Sequence, residues 1–383
     1  MKFFHISDLH IGLKLMNRDL REDQEHILRQ IVDYAVQEKP DAILIAGDIY
    51  DKAIPSAEAV EVFDGFISNM SSSLPETVIM MISGNHDSAP RVNCFRSVLS
   101  KQNLHMVGIP PRTEQEYMEK VTLQDMYGDV NFYLLPFVKP SMVKMVVGTD
   151  ENGNNYSYDE TIRRLIQRET IREDARNVLV SHQFYLPVGK RPEEVERMDS
   201  EIRTVGNIDE VSAEVFNKFD YAALGHIHKP MKVGSENYRY CGTPLACSVS
   251  EAGQQKGIIM VEMQKKGSEI RTSILPLSPL HQVQIIRGTL EEVLKRTCHD
   301  YVTVILTDQV DLDVVDMQAR LRLAFPNLLE IRRENIRKTD YSGEYKMTAA
   351  LDPYELCRAF LKDMDEQEME ILKDVIHTVQ EAK

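Results

Sequence analysis

The chain has 383 residues, 60 acidic and 45 basic side chains, a net charge of -15 and 43% hydrophobic residues. That composition excludes a disordered chain, and no apolar run reaches the ~20 residues that a membrane span needs. The negative balance speaks against general attraction to nucleic acid, although bound divalent ions or a basic partner reverse the local field of an acidic site.

The chain opens on an apolar run, Phe3 to Ile6, that reads as a buried strand and ends in Asp8-Leu9-His10. It carries no signal-peptide pattern. Together with five scattered Cys and no CxxC pair, this leads us to expect a cytoplasmic protein without a disulfide framework or a Cys-type zinc site. Arg21 to Lys39 has helical spacing (Ile27, Leu28, Ile31, Val32, Ala35) and stops at Pro40. A second strand, Ala42 to Ala46, runs into Gly47-Asp48. Ser56 to Met70 reads as a helix capped by Ser56. Val78 to Ile82 then leads into Gly84-Asn85-His86-Asp87, and Pro90 to Lys101 reads as a third helix.

Glu151 to Tyr158 is a turn-rich loop before a helix over Asp159 to Arg172. Val178 to Val180 runs into Ser181-His182. Tyr221 to Leu224 runs into Gly225-His226-Ile227-His228. Between them, Pro187 to Val211 is charged and lacks periodicity, which predicts an exposed loop near the site. The alternation of strands and helices predicts a mainly parallel sheet with flanking helices. In such sheets, ligand sites gather at strand ends.

From near Leu280, strands at His281 to Arg287, Tyr301 to Leu306 and Leu328 to Arg333 alternate with helices at Thr289 to Thr297 and Val314 to Ala324, a small α+β module. Arg337 to Met347 reads as a linker. Two helix candidates follow, Tyr354 to Met364 and Gln367 to Gln380, the second with a strong apolar face. We therefore divide the chain at 1–279, 280–336, 337–347 and 348–383.

Five strands ending in Asp, Asn and His are hard to explain by packing. Asp-x-His and His-x-His place both members of each pair on one side of an extended chain. A mixed set of carboxylate, amide and imidazole donors suits Mn or Fe better than a Mg-only site. Two such ions can clamp the attacking and leaving oxygens of an in-line phosphoryl transfer. Taken singly, a strand-end His is more often structural. His5 reads as a packed or edge residue, and His26, His105, His281, His299 and His377 belong to no motif.

The motifs resemble those of the calcineurin-like metallophosphoesterases, D-x-H, GD, GNH-D or GNH-E, H and GH-x-H, in order. Within that superfamily, the runs Ile6 to Gly12, Ala46 to Asp51, Gly84 to Ser88 and Leu224 to His228 look like the SbcD family of bacterial nuclease subunits. The resemblance implies a four-layer α/β metallophosphoesterase sandwich, a small α+β capping domain and C-terminal partner-binding helices. It implies two divalent metal ions, most simply Mn. Asp8, His10 and His228 would hold one, Asn85, His182 and His226 the other, and Asp48 would bridge them. His86 would act on the scissile phosphate or leaving group, and Asp87 would orient His86. Some relatives carry His where Asp51 stands, and no direct role is assigned there.

The resemblance further implies a DNA nuclease in repair, recombination and replication. It would cut single strands and hairpins as an endonuclease. With an SbcC-like SMC-type ATPase, held by the C-terminal helices, it would be an ATP-dependent double-strand exonuclease. A homodimer is implied, built on the regions Ala57 to Met70 and Arg91 to Lys101, with faces Val60, Phe63, Ile67 and Phe95, Val98, Leu99 that equally suit core packing. Two rivals stand beside this reading: an enzyme of the same fold for a small nucleotide or phosphodiester, and a metal-free platform tethering an ATPase to DNA. The first has no use for a capping module, and the second would have lost ligands. Lys139, Lys190, Arg191 and Arg203 are candidates for phosphate contact or for ordinary solvated surface.

Overall fold

The computed structural model describes residues 1–191, 194–195, 197–201, 209–308 and 314–334, with 368, 369 and 372. The linker and the two C-terminal helix candidates, like Arg203, lie outside the described residues, apart from those three positions.

The chain first builds four parallel strands: β1 (Lys2–Ile6), β2 (Ala42–Ala46), β3 (Val78–Ile82) and β4 (Leu104–Val107). The helices α1 (Arg21–Glu38) and α2 (Ala57–Ser73) make the crossovers β1–β2 and β2–β3. Ser56 caps α2 by accepting from the Ala59 N–H, as expected of an N-cap serine. A second sheet follows: β5 (Glu119–Asp125), β6 (Gly128–Leu135), β7 (Arg176–His182), β8 (Tyr221–Gly225), β9 (Met231–Lys232) and β10 (Tyr238–Tyr240). The chain then returns to the first sheet with β11 (Lys256–Glu262) and β12 (Arg271–Leu277). The strand orders are β12-β11-β1-β2-β3-β4 and β9-β10-β8-β7-β6-β5.

The sequence pattern led to a mainly parallel sheet; the protein has two mixed sheets stacked face to face, as the resemblance implies. The central strands β1, β2, β3, β7 and β8 are buried on both faces because both are covered. Phe3, Leu44, Met80, Phe132, Val178, Val180 and Tyr221 fill the layer between the sheets. Alternate residues face outward. Phe4, Ile6, Ile43, Ile45, Ile79 and Met81 meet Ile27, Ile31, Phe63 and Phe66 of α1 and α2. Tyr133, Leu135, Leu179 and Leu224 meet Ile162, Leu165 and Ile166 of α3 (Tyr158–Gln167). The result is a four-layer α/β/β/α sandwich.

His5 is fully buried on the inner face, within 3.1 Å of the Tyr221 hydroxyl and of the Leu224 carbonyl across the sheets. Burial lowers its pKa to about 3, so it is a neutral packed histidine.

Three helix expectations need correction. Residues 90–101 do not form one helix: short turns at Ala89–Val92 and Arg96–Leu99 are separated by Phe95 at φ 58°, a left-handed conformation that interrupts helical hydrogen bonding. The helix expected over Asp159 to Arg172 ends at Gln167. After β12 the chain forms β13 (Val283–Gly288), β14 (Tyr301–Leu306) and β15 (Leu328–Arg333), a parallel three-stranded sheet with α4 (Val314–Ala324). The helix expected at Thr289 to Thr297 is a single turn, Leu290–Val293. The module has its own core of Ile286, Val293, Val302, Val304, Leu321 and Phe325. Among the described residues, no helix is long and apolar enough to cross a membrane.

Candidate metal centre

Strand register aligns the motifs. Ile6 pairs with Ile45 and Ala46 with Ile82, so Asp8, Asp48 and Asn85 all follow neighbouring strand ends. In the second sheet Gly225 pairs with His182, which places His226 just beyond it. The sheets bring these ends to one place: the His182 Nδ1–H donates to the Ala46 carbonyl at 2.7 Å, from one sheet to the other.

The loops after the strands are held in unusual conformations. Asp8, His10, Asp48 and His226 all have positive φ (53°, 43°, 50° and 103°), which costs energy for residues with a side chain and clusters at functional sites. The His10 and Ile11 N–H groups donate to the Asp48 and Ile49 carbonyls, tying the first two loops together. Glycine in the third motif is dictated by crowding, since a methyl on Gly84 would collide with the Asp48 carboxylate.

All seven expected ligands converge. Asp8, His10, Asp48, His182, His226 and His228 are buried, and Asn85 is half-buried at the mouth. Ligand atoms of Asp8, His10 and His228 lie within 4.8 Å of one another, as do those of Asp8, Asp48 and His182. The Asn85 Oδ1 is 3.0 Å from His182 Nε2 and 2.9 Å from His226 Nδ1. Asp48 Oδ2 stands between the two groups, 3.7 Å from His10 Nε2 and 3.3 Å from His182 Nε2.

The donor set fits divalent cations. His10 and His228 turn their Nε2 atoms toward each other at 3.2 Å, an arrangement that a shared proton or a cation satisfies. His10 Nδ1 has no hydrogen-bond partner among the described residues; Asp51 Oδ1 stands 4.0 Å away. Burial lowers the pKa of His10 to about 3 and pushes that of His226 well below its ordinary value, keeping both neutral, the form that binds metal. Burial raises Asp8 to about 6. Burial also disfavours charge on Asp48 and His182, but their mutual attraction more than offsets it: Asp48 is held well below the carboxylate range and His182 is raised to about 9.

His86 is half-buried beside the cluster, its ring edge-on to His10. Its backbone N–H donates to Asp48 Oδ1 at 2.9 Å. The orienting role expected of Asp87 is not what the geometry gives. The Asp87 carboxylate accepts the backbone N–H groups of Ile49, Tyr50 and Gly84 at 3.1, 3.0 and 2.8 Å, stitching the second loop to the third. The His86 ring is oriented by the Asp51 carbonyl, which accepts from Nδ1 at 2.9 Å.

Residues 197–201 also depart from expectation. The Arg197 side chain, Met198 and Glu201 are buried against the centre rather than exposed. The Arg197 guanidinium stacks 4.4 Å over the Phe184 ring, donates to Glu201 at 3.1 Å, and lies 3.2 Å from His226 Nε2. Glu201 accepts the His228 N–H at 2.9 Å. The Arg-x-x-x-Glu spacing is the one sequence signal for this strap, and it reads equally well as a solvated pair.

Beside Asp51 a groove of about 570 Å³ opens, with Lys14, Arg21 and Lys52 as well as Asp19 and Glu58 on its walls. Lys139, Lys190 and Arg191 are exposed, and the last two pair with Glu194.

Residues 1–230 match the calcineurin-like phosphoesterase family, and residues 279–365 match the type 5 capsule protein repressor C-terminal domain. The chain is 32% identical over 300 residues to the SbcD component of the SbcCD nuclease of Staphylococcus saprophyticus, covering 77% of this chain and 74% of that protein. Among solved structures it is similar to GAP50, the anchor in the inner membrane complex of Plasmodium, with a TM-score of 0.41, 11% identity, and 86% and 96% of the two chains covered. A dimetal phosphatase from Danio rerio gives a TM-score of 0.39 and 13% identity over 73% and 98%. Likenesses at that level carry nothing further. The chain belongs to the calcineurin-like phosphoesterase family, in the branch of the SbcD nucleases, and is a metal-dependent phosphodiester hydrolase.

Proposed function

We propose that this calcineurin-like phosphoesterase is the Mn-dependent nuclease subunit of a two-protein DNA-processing complex. The observation that carries the reading is the convergence of seven ligand-type side chains from five strand ends at the junction of two sheets. Asp8, His10 and His228 would hold one ion, Asn85, His182 and His226 the other, with Asp48 between them. Bound divalent ions supply Lewis-acid polarisation of the phosphodiester and lower the pKa of the attacking water.

The chain's own residues supply the rest. Asp48 fixes the His86 backbone, and the Asp51 carbonyl keeps the proton of a neutral His86 on Nδ1. Nε2 then accepts when the ring is neutral and donates to the leaving oxygen when it is protonated. Asp87 holds the loops that carry both groups.

Residues 1–279 would be the nuclease domain and 280–336 the capping domain; the separate core of the three-stranded module and the second family match at residue 279 support that division. Residues 337–347 would be a linker, and 348–383 would bind an SbcC-like SMC-type ATPase, by analogy with the SbcCD relative. The substrates would be DNA hairpins and single strands and, with the ATPase, double-strand ends. Val60, Phe95 and Val98 are exposed, Phe95 at 74%, while Phe63 is buried in the core, so part of each expected apolar face is free for a homodimer.

Turnover of a labelled DNA hairpin against bis(p-nitrophenyl) phosphate, both with Mn, tests the substrate. Hairpin cleavage supports the nuclease. Turnover of the small ester alone, with and without the ATPase partner, would move the small-phosphodiester enzyme ahead.

A further inference from the structure

Metal-binding imidazoles depend on what holds their other nitrogen, because that partner sets the tautomer and the ring direction. For His182 the partner is the Ala46 carbonyl. For His228 it is a relay that none of the sequence motifs contains. Ser200 Oγ lies 2.8 Å from His228 Nδ1 and donates to Glu251 Oε1 at 2.9 Å. Glu251 is itself 3.5 Å from the same nitrogen.

The direction of this relay follows from proton counting. An ionised carboxylate only accepts, so the Ser200 proton points to Glu251 and the serine oxygen accepts from the ring. Glu251 is kept as an acceptor by Ser248, Thr243 and the Cys247 N–H, and by the Lys256 ammonium at 2.6 Å. Glu251, Cys247 and His228 also bring ligand-type atoms within 4.8 Å, but the Lys256 ammonium already neutralises the carboxylate there. Glu251 is therefore an orienting group.

We infer that Ser200 and Glu251 are positioning residues for His228, which lock its ring with the proton on Nδ1 and the Nε2 lone pair facing His10 and the metal position. The inference rests on the metal-centre reading and extends it to two residues outside the ligand set. The relay is built from both sides of the chain. Ser200 comes from the strap at 197–201, and Glu251 from the turn Val249–Glu251 before β11. The strap is fastened at both ends of this contact, by the Asp199 N–H on Ser250 Oγ and by Glu201 on the His228 N–H. The same contacts that hold residues 197–201 in place therefore also hold the His228 ring.

The test uses the full chain with histidine nitrogens labelled. Ring-nitrogen NMR of the metal-free protein, recorded at a pH where the ring is neutral and assigned with His228→Asn, should show His228 protonated at Nδ1. Calorimetric titration with Mn alone should show Ser200→Ala weakened by about tenfold, and Ser200→Thr, which keeps the hydroxyl, close to the wild type. A structural role alone would move neither the tautomer nor the Ala-versus-Thr contrast. If Ser200→Ala folds poorly, the tautomer of the unmodified chain still decides. His228 protonated at Nε2, or Ser200→Ala binding Mn as tightly as the wild type, would overturn the inference while leaving the metal centre standing. A wild type that binds no Mn would sink the metal-centre reading and this inference with it.

Discussion

Asp23 and Gln24, adjacent in the first turn of α1, reach in opposite directions. The Gln24 side chain donates to the His10 carbonyl at 2.7 Å and accepts the Gly12 N–H at 3.0 Å, clamping the loop that carries Asp8 and His10. The Asp23 carboxylate accepts the His281 N–H at 2.9 Å, lies 3.0 Å from the His281 ring nitrogen, and accepts the Tyr301 hydroxyl at 2.9 Å. One helical turn thus joins the loop that carries His10 to the start of the three-stranded module. Asp23→Ala should cost about 1–3 kcal/mol, because it leaves buried donors without an acceptor. Thermal unfolding checks the loss. Proteolysis near residues 278–282 should accelerate, with Mn binding little changed. An unaltered melting temperature would show that the joint carries no energy.

Asp48 and His182 form a buried ion pair in the protein alone. Burial would lower the histidine, but the Asp48 carboxylate 3.3 Å away raises its pKa to about 9. Below that value His182 carries a proton that a metal ion must displace. Mn binding at pH 7 should therefore release about one proton from this residue, and affinity should climb with pH until about pH 9. Calorimetry in buffers of different ionisation enthalpy measures the proton count. Zero release at pH 7 would mean that His182 is not displaced and is not a ligand.

Asp125 offers a pH test far from the metals. Burial pushes its carboxyl up, but the Arg176 guanidinium, at 2.6 and 2.9 Å, together with the Met1 ammonium and the Tyr127 N–H, more than reverses this and holds it well below the carboxylate range. A carboxyl with a depressed folded-state pKa stabilises fully above its unfolded value of about 3.9 and loses that contribution as pH falls through the folded value. Stability from the Asp125 carboxylate and these partners should be flat at neutral pH and decline only below about pH 4. Asp125→Asn should melt lower at pH 7 and show a shallower acid decline. Equal slopes for the two proteins would discard the assignment.

The groove beside Asp51 carries exposed Lys14 and Lys52. If it takes a DNA backbone, Lys14→Gln and Lys52→Gln should each weaken hairpin binding at low salt. Each should also reduce the salt dependence of binding by roughly one phosphate contact. Hydrolysis of a small phosphodiester should be unaffected. Binding with the wild-type salt slope would place the DNA elsewhere.

The convergence of the candidate ligands was legible because their positions follow from chemistry at strand ends. Asp8, Asp48, Asn85, His182, His226 and His228 each follow an apolar run, and parallel register carries them to a common edge. What surrounds them was not legible. The division into two sheets depends on pairing between distant strands, which local alternation does not encode. Asp87 looks like a histidine-orienting carboxylate from its place beside His86, yet backbone N–H groups of another loop compete for it. Residues 197–201 have no periodicity, so their burial depends on partners such as Phe184, His228 and Glu251 that no local pattern reveals. Residues 90–101 spaced like a helix break at Phe95 because the backbone there turns left-handed.

If two ions held around Asp48 cut DNA, metal content and cleavage must fall together when that carboxylate is lost. Bound Mn per chain and cleavage of a labelled hairpin are to be measured side by side, for the wild type and for Asp48→Asn. The wild type should hold about two ions and cut only with Mn. The variant should hold fewer ions and cut slower by orders of magnitude, with folding retained. A wild type without bound ions, or an Asp48→Asn protein that cuts at the wild-type rate, would contradict the two-ion mechanism.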